Sequence, residues 1–314
     1  MFLLKNNKLS DNQIIDNKSP KNNSRKIQAF SLIELSIVIL IIGILVAGVT
    51  SSSRLITRMK VVTAQNLTRN SPVSSIKDLA MWYETSLDES FDNAEETEDS
   101  PITNWFDLNP QSSYKINGLQ ANLTNKPKFK TSIFNGLPGI FFDGVDDHII
   151  VNSAGISGRG LSIFMVAQRK GLGTFQGLLA GINSTSTTDD ASNAGAFQAF
   201  YDNNGGAYIT ISAGVWYSSV SQTAPRDNIP YIISTFFNGT NNIAYLNSNT
   251  GSTIAGSPFF LADRLYIGCR FVNTPVFYYW GHIAEIIIFN RGLNTEERLA
   301  VNAYLSKKYA IKTS

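Results

Sequence analysis

Polar side chains dominate the first 29 residues, and the next 20 reverse the pattern. Over residues 30–49 almost every position is Leu, Ile, Val, Ala or Gly, with Ser31, Glu34 and Ser36 interrupting the run near its start. As a helix rising about 1.5 Å per residue, such a run spans about 30 Å, the thickness of a bilayer core. Leu55, Ile56, Met59, Val61 and Val62 then recur near helical spacing among Arg54, Arg58 and Lys60, which predicts that the helix continues. Asn70-Ser71-Pro72 ends it, because proline disfavours helix in the residue before it. From Ser74 short apolar runs alternate with clusters of Asn, Gly, Ser and Thr. Strands are predicted at 80–83, 139–142, 148–151, 162–168, 177–181, 196–201, 207–212, 231–237, 242–247, 264–268 and 282–289, bounded by turn formers such as Asn238-Gly239. Residues 208–212 and 243–247 alternate with period two, the mark of one wet and one buried face. So many strands with almost no helix between them predict a two-sheet sandwich. One helix closes the chain. Asn294 stands as its N-cap with Glu297 three positions on, and Val301, Tyr304, Leu305 and Tyr309 share a face that docks on the sandwich. Lys307, Lys308 and Lys312 are expected on the other, solvated face.

The chain has 314 residues, 43% hydrophobic and 16% charged, which excludes global disorder. A single long apolar run excludes a polytopic membrane protein. A net charge of +2 gives no electrostatic footprint for nucleic acid. The lone Cys269 excludes an intramolecular disulfide framework and reads as a small buried hydrophobe. The charge is unevenly placed: residues 1–29 carry six basic groups against two acidic ones, so this leader is not expected to fold by itself.

Glu34 is the informative interruption. A carboxylate in a membrane helix costs up to about 2.5–3.5 kcal/mol, less where it reaches the interface. Either it snorkels to the membrane face or it meets a specific partner. A secretory signal peptide, with residues 35–49 as apolar core and Val46-Ala47-Gly48 as cleavage region, is the competing reading. The positive-inside count is a tie, with four basic groups in residues 10–29 and four in residues 50–69.

The segment Arg25-Lys26-Ile27-Gln28-Ala29-Phe30-Ser31-Leu32-Ile33-Glu34-Leu35 resembles the prepilin cleavage and methylation motif of type IV pilins and type II secretion pseudopilins. The resemblance covers residues 25 to about 56. It implies a basic leader (residues 1–29) that stays in the cytoplasm, cleavage by a prepilin peptidase between Ala29 and Phe30, and methylation of the new amino terminus. Glu34 becomes the fifth mature residue, with a role in assembly. The family usually has Gly before the cut, where this chain has Ala29. A membrane and stalk helix over 30–70 follows.

A second resemblance covers residues 75–312. Phe134-Asn135-Gly136-Leu137-Pro138-Gly139-Ile140-Phe141-Phe142-Asp143-Gly144-Val145-Asp146-Asp147-His148-Ile149 is similar to a signature of bacterial laminin-G-like, concanavalin A-like jelly rolls. Leu79-Ala80-Met81-Trp82-Tyr83, Asn104-Trp105-Phe106-Asp107-Leu108 and the stretch from Gly281 to Leu293 resemble other segments of those domains. The expected fold is therefore mainly β: a transmembrane and stalk helix, then a two-sheet concanavalin A-like jelly-roll sandwich over 74–314 ending in a helix. That fold hosts lectins, adhesion modules, glycosidases and spacers alike.

Candidate chemistry in the sandwich is sparse. Glycoside hydrolysis needs two carboxylates about 5–10 Å apart. The strand run Glu-x-Asp-x-x-Glu of sandwich glucanases is absent, and Glu285 is nearly alone among predicted strand residues, so it reads as a structural acceptor or a solvent-facing group. No catalytic activity is expected. Asp143, Asp146 and Asp147 in a glycine-containing loop offer hard oxygen ligands for Ca²⁺; the alternative is a tight turn in which the carboxylates cap backbone amides. The acidic stretch 88–99 reads as a solvated loop. Trp216, Tyr217, Tyr278, Tyr279 and Trp280 can stack on sugar rings or pack in the core.

The leading expectation is a minor or tip subunit of a type IV pilus or type II secretion pseudopilus. It would be held in the bacterial inner membrane by one helix, with the sandwich periplasmic or extracellular. Its partners would be prepilin peptidase, other pilins or pseudopilins, and a carbohydrate or cell-surface ligand. The alternatives are a membrane-anchored lectin-like adhesin and, third, a surface glycosidase.

Overall fold

In the computed structural model the described residues form two α-helices and two main sheets packed face to face, with a small two-stranded sheet beside them. Residues 31–171, 175–185, 195–201, 225–256 and 259–313 are described, apart from the side chains of 49–54. The predicted strand at 207–212 lies outside them. The chain divides into two compact units, Met1–Ser52 and Ser53–Ser314.

Helix α1 (Leu32–Arg69) begins in the first unit and ends in the second. Its start is capped by its own sequence. Ser31 Oγ accepts from the Ile33 amide at 3.3 Å, and the Ser31 amide donates to Glu34 Oε2 at 2.9 Å. Ser31 and Glu34 thus cap the helix start between them, Ser31 serving the second helical amide and Glu34 the Ser31 amide, donors that a helix N-terminus leaves open. The side chains of residues 32–48 are exposed. Among the described residues no helix is long and apolar enough to cross a membrane.

In the second unit the strands are β1 (Leu79–Glu84), β2 (Asn104–Trp105), β3 (Gly118–Leu119), β4 (Lys128–Phe134), β5 (Leu137–Asp143), β6 (Ile149–Gly158), β7 (Gly160–Arg169) and β8 (Gln176–Ile182). They continue with β9 (Phe197–Tyr201), β10 (Pro230–Asn238), β11 (Asn241–Leu246), β12 (Asn249–Ala255), β13 (Phe260–Ile267), β14 (Arg270–Val272), β15 (Thr274–Val276) and β16 (Trp280–Phe289). Helix α2 (Thr295–Tyr309) follows. The larger sheet runs β12-β11-β10-β7-β16-β5-β4, with β1 also paired to β16; the second runs β2-β3-β6-β13-β8-β9. Every pairing is antiparallel among the described residues.

The central strands of the larger sheet are buried on both faces, which is why β16 reads as a continuous apolar run. Ile283, Ile286 and Ile288 point into the core between the sheets, while Ala284, Ile287 and Phe289 point outward under the helices. On β7 the same alternation sends Ile163 and Met165 inward and Phe164 and Val166 outward. A second apolar layer therefore exists outside the sandwich. It is closed by Val301, Tyr304, Leu305 and Tyr309 of α2 and by Val61, Ala64 and Leu67 of α1.

The docking face of α2 is the expected one, and the capping box is present: Asn294 Oδ1 accepts from the Glu297 amide at 2.9 Å. Lys308 departs from expectation. It is buried, not solvated, and its ammonium lies 2.6 Å from Glu84 Oε2 and 2.9 Å from Glu285 Oε2. Glu84 and Glu285 are register partners on β1 and β16. Two like charges directly opposite one another destabilise a sheet, and Lys308 reverses that by standing between them. The remaining capacity is filled. Glu84 accepts from Ser86 Oγ, Ser90 Oγ and the Ser86 and Leu87 amides. Glu285 accepts from Trp82 Nε1, Tyr304 OH and Tyr309 OH, each at 2.8 Å. Thr68 of α1 joins through Tyr304 OH at 3.1 Å. Burial alone would push the Glu84 carboxyl up, but the Lys308 ammonium and the two serine hydroxyls outweigh it and hold it low. Burial likewise opposes the charge on Lys308, and the two carboxylates more than restore it.

Removing one partner of a buried ion pair typically costs about 3–5 kcal/mol. Lys308→Met should therefore lower the unfolding free energy of the sandwich, read from urea titration, by that order, and Glu84→Gln with Glu285→Gln in the same chain should recover much of the loss. The pH response should invert. A depressed Glu84 means that the wild type loses stability as pH falls below about 4. In Lys308→Met two buried carboxylates face each other without a cation between them, so the deficit is largest at neutral pH and shrinks on acidification. Equal deficits at pH 5 and pH 8 would contradict this account.

Candidate functional site: an aromatic cleft beside an acidic turn

After the β14–β15 hairpin the chain reads Phe277-Tyr278-Tyr279-Trp280, and the four rings take different fates. Tyr279 is buried in the core and stacks on Tyr201, with ring centroids 5.9 Å apart. Phe277 and Trp280 remain 38% and 41% exposed. With Tyr278, Phe175, Gln176, Asp143 and Gly144 they line a cleft of about 410 Å³ at one end of the sandwich.

Trp280 is held rigidly. Its amide donates to Gln176 Oε1 at 3.1 Å, and its carbonyl accepts from the Lys170 amide at 3.0 Å. Gln176 is fixed in turn by donating to the Gly171 carbonyl at 2.9 Å. The indole lies against Gly171, where a Cβ would fall 2.5 Å from Trp280 Cζ3. Gly144, at φ +79°, leaves room for Trp280 Cβ in the same way. Phe277 has φ +52°, which is strained for a non-glycine residue. The Gly177 amide, donating to the Phe277 carbonyl at 2.7 Å, the edge of Phe175 and the Arg270 guanidinium 5.4 Å from the ring centroid keep it there.

The acidic turn borders this cleft. One oxygen from each of Asp143, Asp146 and Asp147 lies within 4.8 Å of the others. The turn is closed by hydrogen bonds of its own. Asp143 Oδ1 accepts from the Val145 amide at 2.8 Å and the Asp146 amide at 3.3 Å, and Asp147 Oδ2 accepts from the Asp143 amide at 3.0 Å. These bonds hold the loop whether or not a cation joins it. Burial, together with the Asp143 and Asp146 charges, pushes the Asp147 carboxyl up to about 7.

The two histidines and the acidic stretch lie elsewhere. His148 packs beside Tyr278 with Nδ1 2.8 Å from the Asp146 carbonyl, and burial lowers its pKa. His282 is buried against Phe141, and burial with the nearby Lys170 and Lys130 charges brings it down to about 4. The acidic stretch is more than a solvated loop. Glu98 and Asp99 pair with Lys130, Glu89 pairs with Arg69, and Asp88 accepts from Gln65. Glu84 and Glu285 face each other across β1 and β16, but they are closed to solvent with Lys308 between them. Sequence reading passed over Glu84; its buried neighbours on β1 were the signal. Ala29, Phe30, Trp216 and Tyr217 lie outside the described residues.

With this geometry in place, the comparisons with known proteins fall into two parts. Residues 24–50 match the prokaryotic N-terminal methylation motif. The sandwich is similar to domain 4 of AbnA, a GH43 extracellular arabinanase from Geobacillus stearothermophilus, in complex with arabinotriose. The identity is 13% and the TM-score 0.52, over 72% of this chain and 98% of that one. It is also similar to Trypanosoma rangeli sialidase, at 14% identity and TM-score 0.50, over 79% of this chain and 38% of that one. A further likeness is to the binding domain of botulinum neurotoxin serotype D, at 11% identity and TM-score 0.50, over 74% and 52%. At such identities the likeness is one of fold: a mainly β, two-sheet sandwich. The chain spans well under two thirds of the sialidase and toxin chains. No curated protein matches.

Asp147 provides a pH test of the turn. Its folded pKa stands above the unfolded value, so its contribution to stability falls as pH rises from about 4 to about 7. Asp147→Asn keeps an acceptor for the Asp143 amide and removes the charge. It should be more stable than wild type at pH 8, by roughly 1 kcal/mol once solvent screening is allowed for, and equal to it at pH 4. Thermal unfolding at the two pH values, with and without millimolar CaCl₂, checks this. A calcium site would instead appear as a metal-dependent rise in Tm that Asp147→Asn abolishes.

Proposed function

We propose that the chain is a pilin-like subunit that displays its sandwich as a recognition head. The observation that carries this reading is the match of residues 24–50 to the prokaryotic N-terminal methylation motif. Prepilin peptidase removes residues 1–29 between Ala29 and Phe30 and methylates Phe30. The apolar run 30–49 holds the subunit in the bacterial inner membrane and, after assembly, packs with other pilins or pseudopilins. A head beginning near residue 74 is large for the repeating subunit of a slender filament, so we assign a minor or tip position. Type IV pilus and type II secretion pseudopilus remain the two settings. The reading is non-catalytic; the buried, Lys308-bridged state of Glu84 and Glu285 supports it. The exposed Trp280 and Phe277 favour a second reading, a membrane-anchored lectin-like adhesin outside any filament.

Glu34 has two roles in this scheme, and they separate by mutation. It caps its own helix through the Ser31 amide, and its charge pairs with the methylated amino terminus of a neighbouring subunit to set register. Mass analysis of membrane-purified protein should find N-methyl-Phe30 at the amino terminus. An intact Met1 or a start near Val49 would overturn the pilin-like reading. Glu34→Gln preserves the cap but not the charge, whereas Glu34→Leu removes both. Both variants should be cleaved and membrane-bound yet reduced in sheared filaments. Full incorporation of Glu34→Gln would show that the cap alone matters.

A further inference from the structure

We infer that the cleft walled by Trp280 and Phe277 is a saccharide-binding site that takes neutral rather than anionic sugars. The inference deepens the recognition-head reading and rests on it.

Three observations carry it. The first is the exposure of large aromatic area at fixed positions. Trp280 and Phe277 keep 41% and 38% of their surface in solvent, although the chain buries Tyr279 between them. A sugar ring presents a flat face of C–H groups, and an indole or phenyl face is its natural complement. The second is preorganisation. Trp280 is pinned by Gln176, Gly144 and Gly171, and Phe277 is held at positive φ by the Gly177 amide, Phe175 and Arg270. Strain of this kind persists only where its surroundings enforce it, and rings already fixed lose little entropy when a ligand stacks on them. The third is polarity. Asp143 is the one charged residue of the lining among the described residues, and it is exposed beside Asp146. Its Oδ1 serves the turn, and its outer oxygen can accept from sugar hydroxyls. The same charge repels a carboxylate-bearing sugar.

The cleft volume of about 410 Å³ suits one or two sugar rings, within the usual range for small-ligand sites. Stacking of this type is open-faced, so affinities in the millimolar to high micromolar range are expected for a short oligosaccharide.

The test is isothermal titration of the full chain in a polyoxyethylene detergent, which has no sugar headgroup to compete. The probes are cellotriose, xylotriose, mannotriose and α-1,4-galactotriose, with trigalacturonic acid as the anionic counterpart of the last. At least one neutral trisaccharide should bind, and trigalacturonic acid should bind less well than galactotriose by about fivefold or more. Trp280→Leu keeps apolar volume on Gly171 without the flat ring. It should leave the Tm unchanged and weaken neutral-sugar binding at least about tenfold. Asp143→Asn, which preserves the acceptor for the Val145 amide, should narrow the gap between galactotriose and trigalacturonic acid. Binding of none of the neutral probes, or equal binding by wild type and Trp280→Leu at unchanged Tm, would overturn the inference. Binding that survives in Trp280→Leu would leave a sugar-recognising head with its site elsewhere. N-methyl-Phe30 without any sugar binding would leave the pilin-like reading standing alone.

Discussion

Lys308 is the residue on which the second unit is organised. Its ammonium sits where β1, β16 and α2 meet, between two carboxylates that the antiparallel register brings face to face. Without it the register of β1 on β16 would set two buried negative charges against each other. With it, five backbone and side-chain donors around Glu84 and four around Glu285 close a network that reaches Trp82, Tyr304, Tyr309 and Thr68. Such an arrangement adds little net stability over a well-packed apolar one. Its consequence is specificity, because only one placement of α2 and of the last turns of α1 leaves every member satisfied.

That constraint explains why the end of α1 belongs with the sandwich. Ala64 and Thr68 are buried there, Lys60 donates to the Asn135 carbonyl at the β4–β5 turn, and Gln65 donates to the Ser86 carbonyl. The polar contacts of this seam are with the loops that flank β1 and β5 and, through Thr68 and Tyr304, with α2; its apolar residues join the layer outside the larger sheet. The opposite end of the sandwich carries the cleft. The cleft and the helix seam thus occupy different element sets, the first on β8, β16 and the turn after β5, the second on β1, α2 and the β4–β5 turn.

Much of the fold was legible because its central strands are buried on both faces, and runs such as Ile286-Ile287-Ile288 leave no doubt about their setting. β4 and β12 escaped notice because they are the outer strands of the larger sheet. Their exposed faces carry Lys128, Thr131, Asn249 and Thr250 and erase the alternation. Lys308 was misplaced for a different reason. Helical periodicity assigns a lysine to the wet face, and only the tertiary pairing of Glu84 with Glu285 creates a buried place for it. The capping role of Glu34 was visible in Ser31-x-x-Glu34 but is eclipsed by its position in the apolar run. Tyr278, Tyr279 and Trp280 read from the sequence as sugar-stacking or core residues, whereas nothing in the pattern singles out Phe277. Which rings did which depended on the hairpin at 270–276 and on the positive φ of Phe277, neither of which a pattern of residue types encodes.

The central claim is that Lys308 joins the end of α1, β1, β16 and α2 into one cooperative unit. Hydrogen exchange measured by mass spectrometry on the full chain tests it most directly. In the wild type, peptides covering 60–69, 79–87, 280–289 and 295–309 should lose protection together, at one free energy. Lys308→Met should lower that energy for all four by the same amount. Exchange of 60–69 or 295–309 at a much lower energy than the two strands in the wild type would contradict the account.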